Sequence, residues 1–222
     1  MTAPAQIAVL DYGMGNRRSV EKALEHVGAS ALITSDHREL LGADSLVIPG
    51  VGAFPTAMAN LERLGLVELV QRCAAGGTPI LGICLGMQLL FDRSEELEPT
   101  AGLGLIGGHV TRLAANGARL PHIGWNEVRF ERDSPLTARL PPTGCPFYHV
   151  HSFAARPLHA ADVVGTTAYG ERFATIVAHQ LVFGVQFHPE KSSLHGLRML
   201  QSFVELSRRH AAARARTGPA AA

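Results

Sequence analysis

Cysteine is scarce in this chain: Cys73, Cys84 and Cys145 are the only three in 222 residues. An odd, sparse set excludes a disulfide framework and points to a reducing, cytoplasmic setting. Net charge is nearly absent as well, +1 with the histidines neutral, so no strong pull toward nucleic acid or an anionic lipid surface is expected. No apolar run approaches the roughly 20 residues needed to span a bilayer. The opening "MTAPAQIAVLD" lacks the basic segment and longer apolar core of a signal peptide. What is present is a chain 46% hydrophobic, enough for one well-packed domain. The expectation is a soluble protein with a single domain over 1–210. The low-complexity stretch 211–222, "ARARTGPAAA" and its neighbours, is expected to be a disordered tail.

The first half alternates short apolar runs with helical patterns. "QIAVLD" (6–11), "ALIT" (31–34), "SLVIPG" (45–50) and "TPILGIC" (78–84) read as strands. Residues 16–28 and 55–77 read as helices, the second broken near Gly65. This rhythm predicts an open α/β fold, a mixed but mostly parallel sheet flanked by helices. The Gly-rich turns "DYGMGN", "PGVGAF" and "GICLGM" fall at strand carboxyl ends, where such sheets gather ligands. From about residue 107 the texture becomes β-rich, so a mixed or antiparallel extension is expected, closed by a helix over 194–210.

Gly82-Ile83-Cys84-Leu85-Gly86 has the form of a nucleophile elbow with cysteine at its centre. A tight strand-to-helix turn requires small neighbours and pushes the central side chain out above the sheet edge. The N–H groups and dipole of the following helix favour a thiolate there. On this stretch alone, a buried structural cysteine is an equal alternative. A nucleophile needs a base and an orienting group. "GVQFHPEKS" (184–192) offers both, because His188 and Glu190 are two apart and face one side in extended backbone. Glu190 is then placed to bond one imidazole nitrogen while the other meets Cys84. Pro189 narrows the conformations between them. The glycine loop "IPGVGAF" (48–54) can turn backbone N–H groups toward a developing negative charge, with Leu85 N–H as a second donor.

With these parts on the page, the chain resembles the class I (triad-type) glutamine amidotransferases. Within them it is most similar to the glutaminase subunits of imidazole glycerol phosphate synthase. The marks are "DYGMGN" (11–16), "PGVGAF" (49–54), "GICLGMQLLF" (82–91), "GLGLIGG" (102–108), "PHIGWN" (121–126), "YHVHS" (148–152) and "GVQFHPEKS" (184–192), in the family's order and spanning nearly the whole chain. The resemblance implies a flavodoxin-like fold and a catalytic triad of Cys84, His188 and Glu190. Cys84 would form a glutamyl thioester and His188 would protonate the departing ammonia. Glutamine would be held by Val51, Gly52, Leu85, Gln88, His151, Ser152 and Phe153. Ammonia would leave near Trp125 and Lys191 for a (β/α)8-barrel cyclase, yielding imidazole glycerol phosphate and AICAR in histidine biosynthesis. Asn16 is the expected relay of the partner's signal to the glycine loop. No metal and no organic cofactor is implied.

Some features depart from the family pattern or point elsewhere. His149 and Phe153 replace the two aromatic positions of the usual "YFVHSY", and Arg17 replaces a leucine, which can alter the partner interface or add a salt bridge. Gly102, Gly104 and Gly107 form a GxGxxG run, but the strand-like "HVTRL" follows it instead of a helix, so a dinucleotide site is not expected. His149 and His151 share a strand face without a third metal ligand at useful spacing. Cys73 and Cys145 have no catalytic context. The rival readings are a glutaminase serving pyridoxal phosphate synthase, a cysteine peptidase of related fold, and a non-catalytic regulatory subunit.

Overall fold

A computed structural model describes residues 4–217. The first half runs β1 (Gln6–Leu10), α1 (Arg17–His26), β2 (Ser30–Thr34), α2 (His37–Gly42), β3 (Ser45–Ile48), α3 (Phe54–Arg63), α4 (Leu66–Ala75), β4 (Ile80–Ile83) and α5 (Leu85–Leu89). The second runs β5 (Phe91–Ser94), β6 (Thr100–Ala101), β7 (Ile106–Arg112), β8 (His122–Phe130), β9 (Cys145–His151), β10 (Phe153–Pro157), β11 (Val163–Tyr169), β12 (Glu171–His179), β13 (Val182–Val185) and α6 (Ser193–Thr217).

Among the described residues the strands form two sheets. The larger has the order β2-β1-β3-β4-β13-β12-β11-β8-β9. Its first five strands are mutually parallel, and every pairing from β13 onward is antiparallel. The smaller sheet, β10-β7-β5-β6, packs beside it as a separate layer that the sequence pattern did not distinguish.

The parallel strands β3, β4 and β13 are buried at every position, as strands covered on both faces must be. Alternate residues of β1 enter opposite cores. Ala8 and Leu10 pack with Leu40, Phe54, Leu66 and Leu85 from α2–α5, while Ile7 and Val9 pack with Val20, Leu24, Met199 and Phe203 from α1 and α6. The sheet is therefore the middle layer of three. α1 turns Val20, Ala23 and Leu24 inward, the i, i+3, i+4 stripe of an amphipathic helix.

Two helices differ from the sequence expectation. α2 was not anticipated, although Asp36 caps it by accepting from the N–H groups of Arg38 and Glu39 at 2.9 and 3.0 Å. α6 runs on through Thr217, so the expected loose tail from 211 is helical over its first part, consistent with alanine and arginine being strong helix formers. Residues 218–222 lie outside the described residues. No described helix is long and apolar enough to cross a membrane.

Candidate active site

The turn from β4 into α5 places Cys84 at φ 55° and ψ −109°, a strained conformation for a side-chain-bearing residue. The flanking glycines are required by contact as well as by tightness. A Cβ on Gly86 would sit 1.7 Å from the Ile48 carbonyl oxygen, and one on Gly82 2.5 Å from that of Gly86. The first turn of α5 can thus press against β3 and against β4 only with hydrogen at these positions. α5 spans only Leu85–Leu89, shorter than the amphipathic run suggested. Any stabilisation of a thiolate there comes from the few local N–H groups more than from a long macrodipole.

β13 lies directly beside β4, with Val185 paired to Ile83, so the segment leaving β13 runs next to the elbow. His188 Nδ1 lies 2.8 Å from Glu190 Oε1. A carboxylate only accepts, so the proton sits on Nδ1 and leaves Nε2 as the basic nitrogen. Among the described residues Nε2 has no hydrogen-bond partner, yet Cys84 acts on it strongly. Burial disfavours the imidazolium, but the interactions with Cys84 and Glu190 outweigh burial and lift the His188 pKa to about 10. Backbone bonding from His188 N–H to Tyr148 O (2.9 Å) and from Ser192 Oγ to His188 O (2.7 Å) fixes the ring's attachment.

Asn16 sits at φ 77° ahead of α1. Its Nδ2 donates to Glu190 Oε1 at 2.7 Å and lies 3.4 Å from His188 Nδ1. The expected route from Asn16 to the glycine loop is therefore indirect, and its immediate neighbours are His188 and Glu190. The loop is touched by the residues before Asn16 instead. A Cβ on Gly15 would meet Val51 Cγ2 at 3.0 Å, and one on Gly52, which has φ +126°, would meet Met14 Cε at 2.6 Å. The aligned DYGMGN segment thus contacts both the loop and the His188–Glu190 pair. Just past it, Arg17 forms the salt bridge to Asp11 that its departure from the family pattern allowed.

Cys84 opens into a cavity of about 230 Å³. Val51, Gly52, Leu85, Gln88, His151, Ser152 and Phe153 all line it, with Glu96, Pro121 and Val150 as further walls. A larger groove of about 640 Å³ lies along 130–142, but it holds none of these groups. Gln88 spends its amide N–H groups inward, on Phe153 O and Gln186 Oε1, both at 3.0 Å, which leaves Oε1 as an acceptor. Phe153 thus acts through its carbonyl, and the missing tyrosine hydroxyl is not part of this arrangement. Glu96 was not anticipated. Its Oε2 accepts from Phe54 N–H at 2.9 Å, which brings a carboxylate to the cavity wall from a loop.

The histidines on β9 are spoken for. His149 contacts Phe147 O and Thr175 Oγ1 at 3.1 and 2.9 Å. His151 contacts Phe153 O at 2.8 Å through Nδ1 and His122 Nδ1 at 3.2 Å through Nε2. Among the described residues no group of three metal-ligating side chains is placed to hold a metal ion. Burial pushes His122 down to about 4 and His151 to about 3, and drives His149 well below its usual value. Trp125, 54% exposed on β8, meets Tyr148 edge-on, and Lys191 is exposed in the turn Pro189–Lys191. Neither touches the cavity. Cys73 and Cys145 are buried thiols raised by desolvation, Cys145 to about 11, as suits structural roles. The GxGxxG run leads into β7, not into a helix.

A family model for class-I glutamine amidotransferases matches residues 8–206. The chain is 50% identical to the imidazole glycerol phosphate synthase subunit HisH of Moorella thermoacetica, covering 91% of this chain and 95% of that protein. It is 48% identical to the protein of the same name from Symbiobacterium thermophilum, covering 90% and 93%. Among solved structures, one described as a glutamine amidotransferase has TM-score 0.72 at 22% identity over 90% of this chain and 98% of that one. PurLQS from Thermotoga maritima has TM-score 0.70 at 21% identity, over 92% and 99%. At such identities these structures bear on the fold alone.

Proposed function

The chain belongs to the class I glutamine amidotransferases, and from that premise we propose that it is the glutaminase subunit of imidazole glycerol phosphate synthase. Its partner in this reading is a (β/α)8-barrel cyclase subunit that consumes the ammonia, and its setting is the cytoplasm. The observation that carries the reading is the 2.8 Å His188–Glu190 contact, which leaves a basic nitrogen beside Cys84 at the wall of a cavity large enough for one amino acid.

Glutamine enters with its ammonium toward Gln88 Oε1 and the Glu96 carboxylate, and its carboxylate toward the backbone of 151–153. The amide carbon then faces Cys84. The sulfur attacks as its proton passes to His188 Nε2, and the carbonyl oxygen takes the negative charge. N–H groups of Leu85 and of the Val51–Gly52 loop receive that charge. As the tetrahedral carbon collapses, the C–N bond breaks and His188 Nε2 gives its proton to the leaving nitrogen, which departs as ammonia. The glutamyl thioester remains. Water then attacks it, losing a proton to His188, and the thiolate leaves as glutamate forms. Glu190 holds the Nδ1–H throughout and stabilises the imidazolium. Ammonia passes to the partner on the side of Trp125 and Lys191.

The deciding experiment is Cys84→Ala in complex with the barrel subunit. Glutamine-dependent synthesis should vanish while synthesis from ammonia supplied in bulk at high pH survives. A variant that still used glutamine would remove Cys84 from the mechanism.

A further inference from the structure

Gln186 takes no part in the mechanism above, yet it is fully buried, one residue beyond β13 and two before His188. Its side chain joins the cavity to the nucleophile, and the direction of each bond in that link is determined. The Phe153 carbonyl can only accept, so Gln88 presents Nε2 to it (3.0 Å), and His151 presents Nδ1–H to the same oxygen at 2.8 Å. The second contact of Gln88 Nε2, also 3.0 Å, must then fall on an acceptor, which is Gln186 Oε1. That leaves Gln186 Nε2 toward Cys84 Sγ, at 3.7 Å, a separation suited to the larger sulfur atom. The Cys84 thiol also lies 3.8 Å from Val150 O and interacts with His188. A buried amide aimed at sulfur, with its rotation blocked from the cavity side, is a large commitment for packing alone, since an apolar side chain of the same size would fill the space without needing partners.

We infer that Gln186 is a positioning residue for the nucleophile: its N–H holds the Cys84 sulfur as the thiolate and facing the cavity, and Gln88 keeps that N–H aimed. Hydrogen bonds to an ionised acceptor are the stronger class, so the bond strengthens when Cys84 loses its proton to His188 and weakens when the sulfur is acylated. Gln88 then has two tasks, one toward glutamine through Oε1 and one toward Cys84 through Gln186.

The inference rests on the glutaminase reading, and its test separates the two. The variants are Gln186→Met, which keeps volume and loses both polar groups, and Gln186→Glu, which keeps the acceptor for Gln88 and loses the donor to sulfur. In the full-length chain, the rate of Cys84 modification by iodoacetamide is followed across pH by mass spectrometry, with Cys73 and Cys145 as internal controls. Both variants should move the Cys84 profile upward by about one pH unit or more. In complex with the barrel subunit, both should lower kcat for glutamine hydrolysis about 10- to 100-fold while KM stays within about threefold. Unshifted profiles in both variants would overturn the inference. So would wild-type behaviour of Gln186→Glu, since Gln186 would then serve only to anchor Gln88. A wild-type complex that hydrolysed no glutamine would instead sink the glutaminase reading, and the modification profile would still decide the role of Gln186.

Discussion

Asn16 Nδ2 lies 2.7 Å from Glu190 Oε1, on the same oxygen that His188 Nδ1 meets at 2.8 Å. The residue at the entrance to α1 and the base of the site therefore share one acceptor. Glu190 Oε2 has no hydrogen-bond partner among the described residues, so the carboxylate is held through one oxygen alone. Removing Asn16 takes away a charge-assisted bond, of the class contributing about 1.5–3 kcal/mol. Asn16→Ala should lower partner-stimulated glutaminase activity by about tenfold or more, with a much smaller change in the affinity of the complex. Equal losses in stimulation and in affinity, compared by kinetics and by titration with the barrel subunit, would refute this.

An orienting carboxylate contributes less than the base it orients. Glu190→Gln should accordingly retain more glutaminase activity than His188→Asn in the same complex. It should also change the pH profile. The His188 pKa near 10 depends partly on Glu190, so removing that charge should move the alkaline limb of kcat/KM to lower pH. An alkaline limb that stayed in place would separate Glu190 from the base.

The isolated chain should hydrolyse glutamine slowly, and partner plus an acceptor-substrate analogue should raise the rate at least ~100-fold, the magnitude of one oxyanion donor. The candidate switch is the peptide near Val51. Met14 lies against Gly52 and Gly15 against Val51, so these contacts should limit how that peptide turns. Gly52→Ala, at φ +126°, should reduce glutamine-dependent turnover and leave ammonia-dependent synthesis intact. Full activity in the isolated wild-type chain would end this account of control.

Stability should depend on pH through the buried histidines. His122, His149 and His151 have folded pKa values below that of an unfolded histidine, near 6.5. The unfolded chain thus binds more protons than the folded one between about pH 6.5 and the folded values near 4 and 3. Stability falls as pH falls through that window, by at most about 1.4 kcal/mol per pH unit for each titrating site. His188 has the opposite sign. Its contribution is present below pH 6.5 and is lost as pH rises through about 10. Thermal unfolding between pH 7 and 4 should show a falling midpoint, and His149→Phe should flatten the curve. The same slope in wild type and variant would exclude His149 as a source.

The parts of the site that were legible in the sequence are those with a backbone reason behind them. Gly82 and Gly86 announce the elbow because no side chain fits there. His188 and Glu190 were paired by the two-residue period of extended chain, but the structure brings them together across the single 3-10 turn Pro189–Lys191 instead. Glu96 was hidden in the run Glu95-Glu96-Leu97-Glu98, which reads as a solvated turn until the loop folds back to Phe54 N–H. Gln186 had a signal that went unused: an uncharged polar residue inside the apolar run 181–187, two positions before His188. His122 is brought to His151 by the β8–β9 register alone, which no local pattern reveals. The second sheet escaped because β5 and β6 are short and because β7 finds its other partner, β10, only after β8 and β9 have been laid down in the larger sheet.

The strand order carries a consequence for how the protein is made. β13 is the last strand among the described residues, yet it sits in the middle of the larger sheet, between β4 and β12. A ribosome therefore releases β4 with one edge unpaired, and that edge stays open until nearly the whole chain has emerged. An unpaired apolar edge is where nascent chains stick to one another, so expression should be most sensitive to heat and crowding late in synthesis. The same arrangement is a safeguard. Any chain cut short before Val182 carries Cys84 without a base beside it, so unfinished copies cannot spend glutamine.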